Sequence, residues 1–260
     1  MTTVDQPVSR SPLSLRLPSD AWFFPAMTAL IWLGVVMGFG GEMLSLSKEG
    51  KLVYPLLVHV HAVVFTGWLV VFTAQVWLVR SRRVGLHRRL GVAAAVLAGV
   101  MLLLGPATAI YVQIKWFGLP NGDPAFLAIS MSDMISFAGL TAAALAWRRD
   151  PFVHKRLMLL GTLALADAGF GRWTGMALGP TLGPIVGNGF MGRVLIGDCL
   201  SLAALLAPAA YDLVTRGRTA TVVTIGTLWA VAWPVLATGL YLNPTWIALA
   251  KAFVAHLARG

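Results

Sequence analysis

Seven stretches of predominantly apolar residues, at roughly 21–40, 52–79, 90–112, 125–147, 157–176, 194–215 and 220–242, recur along a chain of 260 residues. A helix crosses a bilayer with about 20 such residues, so each stretch is long enough to span. Little else is left over except short connections. With 58% of residues hydrophobic and 12% charged, the chain has too little polar surface to coat a water-soluble globule. The expected fold class is therefore all-α: a polytopic membrane protein with seven transmembrane helices. The single cysteine, Cys199, lies inside an apolar run, which excludes a disulfide framework and any thiolate-based zinc or iron–sulfur cluster.

The charges give the direction of the spans. The chain carries 20 Lys+Arg against 10 Asp+Glu, but the basic residues sit in short clusters between apolar runs rather than in a nucleic-acid-binding patch. Arg80, Arg82, Arg83, Arg88 and Arg89 follow the second stretch, Arg148, Arg149, Lys155 and Arg156 the fourth, and Arg216 and Arg218 the sixth. With Arg10 and Arg16 they place 13 of the 20 basic residues on one side. The positive-inside rule makes that side cytoplasmic, with the N-terminus inside and the C-terminus outside, and the partner expected there is a bilayer with anionic head groups. The domain reading is a cytoplasmic segment 1–20, a transmembrane domain 21–242 and an interfacial tail 243–260. The polar first segment leads into a span without a small-residue cleavage site, as an uncleaved anchor does. Gly179, Pro180, Gly183, Pro184, Gly187, Gly189 and Gly192 predict a loop or shallow re-entrant segment over about 176–193.

An internal repeat accompanies this pattern. Leu86-His87-Arg88-Arg89-Leu90 and Val153-His154-Lys155-Arg156-Leu157 superpose as apolar-His-basic-Arg-Leu, each at the turn of a predicted hairpin. The sixth and seventh stretches form a third hairpin without the histidine, so the bundle is expected to consist of repeated helical hairpins. Together with His61, Trp68 and Gln75, these residues resemble a group of uncharacterised bacterial multi-pass membrane proteins with a His…Trp…Gln…Arg…LHRRLG signature, over roughly residues 55–170. The resemblance implies a bacterial inner-membrane location and brings no activity with it. A looser similarity is to the cytochrome b type of membrane reductase, in which histidines on neighbouring helices ligate haem.

That similarity makes His87 and His154 candidate haem ligands, because bis-histidine ligation needs two imidazoles at one depth on facing helices. Both also stand among arginines at the interface, where anchoring and helix-start contacts are the favoured explanation. His59 and His61 are two residues apart, hence about 200° apart around a helix, and cannot jointly grip one metal. The thin histidine set gives no dedicated metal-ion site, and no HExxH, GxSxG, P-loop or GxGxxG signature occurs.

The remaining charges are the informative ones. His61, Phe65, Trp68, Phe72 and Gln75 recur at spacings of four, three, four and three, so they share one face of the second span, which should look into the bundle. Asp133, Asp167 and Asp198 lie well inside the fourth, fifth and sixth spans, and counting from the basic turns puts them with His61 and Arg172 in the middle to outer half. An ionisable group facing lipid costs roughly 2.5–3.5 kcal/mol on insertion scales, so such groups turn inward and are paired or functional. One reading is a structural ion pair, with Arg172 or Arg193 neutralising Asp133 or Asp198. The other is a polar centre formed by His61, Asp133, Asp167, Arg172 and Asp198, serving small-solute or proton-coupled transport. A haem-linked redox role for His87 and His154, and an accessory or assembly role without chemistry, complete the expectations.

Overall fold

The computed structural model describes residues 19–50, 54–119, 122–187 and 190–259. Arg10 and Arg16, and with them most of the expected cytoplasmic segment, lie outside the described residues. All regular structure among the described residues is helical. The helices are α1 (Asp20–Val35), α2 (Gly41–Lys48), α3 (Leu56–Arg80), α4 (Val84–Lys115), α5 (Leu127–Ala146), α6 (Pro151–Val186), α7 (Phe190–Arg216), α8 (Thr221–Tyr241) and α9 (Pro244–Leu257). A π-helical turn, Val36–Gly40, joins α1 to α2 without a break, and a 3₁₀ turn, Pro124–Phe126, precedes α5.

Six helical stretches among the described residues are long and apolar enough to cross a bilayer: Asp20–Lys48, Leu56–Arg80, Val84–Lys115, Pro124–Ala146, Val194–Arg216 and Thr221–Tyr241. Large apolar side chains stand exposed along them, among them Val63, Val70, Val92, Val96, Leu103, Ile225 and Leu236. In water such a surface would drive aggregation, whereas hydrocarbon accepts it. The chain is an integral, multi-pass membrane protein. The longest helix, α6, is not one of the six, because Asp167, Arg172 and several glycines and threonines dilute its apolar character.

Helix α6 is instead the axis of the bundle. It packs against α1, α5, α7, α8 and the π-helical turn. Leu157, Leu159, Leu160, Leu163, Ala166 and Phe170 are all but fully buried on it. A helix enclosed by protein meets other helices rather than lipid, so it can carry polar groups the outer spans cannot. Its start is written in the sequence: Asp150 accepts hydrogen bonds from the backbone N–H groups of Phe152 and Val153 at 2.9 and 3.2 Å, and Pro151 occupies the first helical position. The expected break over 176–193 is corrected by the structure. Helix α6 runs through Pro180 and Pro184 to Val186, and Gly187, at φ +95°, is where it ends. Each proline removes one backbone donor, and the residues four before them, Met176 and Pro180, are themselves exposed.

The predicted apolar stripe of α3 does turn inward. Trp68 and Phe72 are buried, the Trp68 indole N–H donates to Thr162 Oγ1 of α6 at 3.3 Å, and its ring meets Phe137 of α5 edge-on at 5.1 Å. On the other side of α6, Gly34 makes room for the Phe170 ring and Gly38 lies against the Gly169 backbone, where a side chain would collide. Small residues of this kind permit the close helix approach that association in lipid depends on.

An ion-pair network ties three helix ends together at the arginine-rich end. Arg156 of α6 grips Asp212 of α7 through Nε and Nη2, and both residues are 0% exposed. Arg216 bonds Asp212 at 3.0 Å and both oxygens of Asp20 on α1 at 2.8 and 2.9 Å. Lys155 donates to Asp20 at 2.9 Å, and the Tyr211 hydroxyl to the same carboxylate at 2.7 Å. Phe152 lies under the Arg156 guanidinium at 3.6 Å. Lys155, Arg156 and Arg216 belong to the basic clusters that the sequence assigned to orientation and lipid contact. In the structure they are spent inside the protein.

Removing one partner of a buried pair leaves an uncompensated charge, at a cost of about 3–5 kcal/mol, whereas replacing both by apolar groups is often neutral. Arg156→Ala is therefore expected to lower unfolding stability in mixed micelles by that amount, and Arg156→Met with Asp212→Leu to recover most of it. Equal stability of Arg156→Ala and wild type would show that the pair holds nothing.

Candidate functional site

Three adjacent helices bring the membrane aspartates together. Asp133 comes from the second turn of α5, Asp167 from the middle of α6 and Asp198 from the third turn of α7, and α6 packs against both neighbours. Close approach is possible because Gly171 of α6 lies against Gly197 of α7, where Thr174 Oγ1 also donates to the Gly197 carbonyl at 2.7 Å. Each carboxylate is half-buried. Asp133 stands within electrostatic range of Asp167, Asp198 and Arg172, and Asp198 within range of Asp167.

The hydroxyls around them do little to offset the charge. Ser132, beside Asp133, gives its hydrogen to the Ile129 carbonyl at 2.8 Å. Ser201 is buried and faces Asp167, but its Oγ falls short of hydrogen-bond geometry. Three like charges in a low-dielectric setting require protons or a counter-cation.

The obvious counter-charge is already engaged. Arg172 Nε donates to Glu42 Oε2 of α2 at 2.8 Å, Nη1 donates to the Ala168 carbonyl at 2.9 Å, and the guanidinium lies 4.6 Å over the Phe39 ring. The pair is more than a third exposed on both sides, at 38% and 37%. Thus Arg172 neither pairs directly with Asp133 nor with Asp198, which corrects one of the structural ion pairs expected from sequence. The side chain of Arg193, the other candidate, lies outside the described residues. Among the described side chains, one guanidinium answers four carboxylates. Tyr54 faces the same Glu42–Arg172 pair, and burial together with the Glu42 charge pushes its phenol above the ordinary range.

His61 stands apart from the aspartates. Its ring stacks on Phe65 at 3.9 Å, and its Nδ1 is buried without a hydrogen-bond partner among the described residues. His59 turns its Nδ1 to the Pro55 carbonyl at 3.1 Å. Of the five expected residues, Asp133, Asp167, Asp198 and Arg172 thus stand within electrostatic range of Asp133's carboxylate or of one another, and His61 packs against Phe65. Among the described residues no group of three or more His, Cys, Asp or Glu side chains has an arrangement able to hold a metal ion.

Sequence reasoning missed Glu42. It lies just past the predicted end of the first span at residue 40, in what read as a connection, whereas the π-helical turn carries the helix on to Lys48. A π-helical insertion rephases the face that follows it, so a regular helical count from α1 could not have aimed Glu42 at Arg172. The arginine itself was the available signal, since a charge expected inside a span calls for a partner.

Two cavities are apolar grooves. One is lined by Ile110, Leu127, Met131, Trp246 and Phe253, and the other by Trp173, Thr174, Leu178, Cys199 and Ala203. Neither lining includes a member of the carboxylate centre. The two repeat histidines meet at the opposite, arginine-rich end, with ring centroids 6.3 Å apart. Comparison with known protein families, with curated proteins and with solved structures finds no match to this chain.

Like-charge repulsion and a half-exposed ion pair predict opposite responses to neutralisation. Asp198→Asn is expected to raise the thermal unfolding midpoint in detergent, because it removes one of three mutually repelling carboxylates. Glu42→Gln should lower stability by up to about 1 kcal/mol, the scale of an exposed pair. If Asp198→Asn is the destabilising one, the carboxylates are held by compensating partners and the centre is structural.

Proposed function

We propose that this chain is a seven-span membrane protein of the bacterial inner membrane whose Asp133, Asp167 and Asp198 centre takes up and releases protons, coupling proton movement to the passage of a small solute. The observation that carries this reading is the meeting of three carboxylates from three adjacent helices, with the nearby guanidinium of Arg172 bound to a fourth carboxylate, Glu42. Intramembrane carboxylates that lack full compensation are the usual carriers in proton relays. The surroundings favour a small exchanging species, since the prominent grooves are apolar and bypass the centre.

Chain direction supports α6 as the seventh crossing. Lys155 and Arg216 share Asp20, which keeps the start of α6, the end of α7 and the start of α1 at one end. Helix α5 runs to that end too, at Arg148, so the chain needs α6 to reach the start of α7 at the other. At about 1.5 Å per residue its 36 residues extend over about 54 Å, ample for a hydrocarbon core of about 30 Å. With the arginine-rich end cytoplasmic by the positive-inside rule, Asp133 and Asp198, near the starts of α5 and α7, lie toward the outer face, and α9 lies at the outer interface. Exposed Arg82, Arg83, Arg88, Arg89 and Arg148 then face the anionic head groups of the inner leaflet.

Purified protein reconstituted in liposomes carrying an internal pH dye tests this directly. Under a potassium diffusion potential the wild type should acidify the lumen faster than empty liposomes. Asp167→Asn and the Asp133→Asn, Asp198→Asn pair should slow that at least about tenfold, the usual scale for losing a proton-transfer group, while His256→Ala leaves it unchanged. Wild-type flux no greater than that of empty liposomes, or equal flux in the aspartate variants, would sink the reading.

A further inference from the structure

The repeated hairpin motif is not used by the carboxylate centre, and it leads to a second site. His87 is the fourth residue of α4 and His154 the fourth residue of α6, counting from Val84 and Pro151. Their backbone N–H groups close the same first turn, to Arg83 O at 3.1 Å and Asp150 O at 2.9 Å. The repeat thus delivers two imidazoles in one register to one end of the bundle. There the rings meet with centroids 6.3 Å apart and planes at 84°.

The hydrogen bonds around the pair set the chemistry. His154 Nδ1 lies 2.8 Å from the Ala144 carbonyl oxygen. A carbonyl only accepts, so Nδ1 carries the proton and Nε2 keeps its lone pair. A backbone carbonyl on one ring nitrogen is the arrangement that orients an imidazole as a metal ligand through the other. His87 Nδ1 is buried with no hydrogen-bond partner among the described residues, and so is Gln75 Oε1. The Gln75 amide packs on Gly91, one helical turn beyond His87, with Nε2 3.6 Å from where a Cβ at Gly91 would lie. Leaving such buried polar atoms unmet costs about 1–3 kcal/mol each. Two imidazole nitrogens about 2 Å from one ion bring the ring centroids to about 5 Å at a tetrahedral angle and about 6.4 Å at a linear one, and the observed separation falls within that span.

We propose that His87 and His154 are the two protein ligands of one transition-metal ion, with Gln75 completing or supporting the site from α3. The ligand chemistry is a pair of neutral imidazoles, and it is the same whether the metal is a bare ion or the iron of a porphyrin. Arg88, whose charge acts on His87, suits a centre that brings anionic groups of its own or carries low charge. The site stands independently of the carboxylate centre, at the other end of the bundle.

The test uses the full chain purified in detergent and stripped with chelator, titrated separately with Cu(I), Co(II) and hemin. One equivalent per chain should bind from at least one of the three. Hemin binding with a low-spin, six-coordinate spectrum assigns the porphyrin, and binding of Cu(I) or Co(II) without hemin assigns the bare ion. His87→Ala and His154→Ala should abolish that binding, Gln75→Leu should weaken it about tenfold, and Asp133→Asn should leave it intact. His87→Gln and His154→Gln keep a polar group in the same volume. Their helical circular dichroism and unmetallated melting points should match wild type, while the metal-dependent rise in melting point disappears. Failure of all three probes to bind stoichiometrically, or binding that survives both histidine substitutions, overturns the proposal.

Discussion

The contact on which the arrangement of helices depends is the buried pair of Arg156 and Asp212. It joins the second turn of α6 to the last turns of α7, and Arg216 and Asp20 extend it to α1. Two ions taken out of water cost several kcal/mol each, so the pair is not there for stability alone. What it provides is specificity. Apolar helices in lipid slide past one another at little cost, because a leucine face is as content against an acyl chain as against another leucine. A bidentate guanidinium–carboxylate grip accepts one register, and every polar position farther along α6 inherits it.

Registering α6 has consequences about 15 Å along its axis, at roughly 1.5 Å per residue. Asp167 comes to face α5 and α7, where Asp133 and Asp198 wait, and Arg172 comes to face Glu42 beyond the π-helical turn. The close contacts of Gly38 with Gly169 and of Gly171 with Gly197 draw α1 and α7 tight against the helix on either side of this level. Among the described side chains, charge of one sign is thus compensated at one end of α6 and in excess near its middle. The first arrangement suits a fixed frame and the second suits a group whose charge must change.

How much of this was legible in the sequence follows from which physical signals are local. The six apolar spans and the inward stripe of α3 are periodicities, and they lie close to where the residues put them. The aspartate convergence was legible because the arginine turns act as a ruler for depth. The continuation of α6 through Pro180 and Pro184 was not, since proline's penalty depends on whether the freed carbonyl is exposed, which is a tertiary fact. Nor was the fate of Arg156. Its repeat counterpart Arg89 is exposed, and the same residue type in the same local motif is a surface charge in one hairpin and a fully buried one in the other.

That divergence explains why a repeat survives only in part. The motif apolar-His-basic-Arg-Leu begins both α4 and α6, but α6 is surrounded by helices and α4 has one face to lipid. The arginine of the enclosed copy can be satisfied by a neighbour, so it becomes Arg156 with Asp212, while the arginine of the outer copy keeps to the interface. The histidine is the polar member of the motif that meets its counterpart, with ring centroids 6.3 Å apart, although His154 Nδ1 is bonded to the Ala144 carbonyl and His87 Nδ1 has no partner among the described residues. The charges around it are placed by the different burial of the two helices.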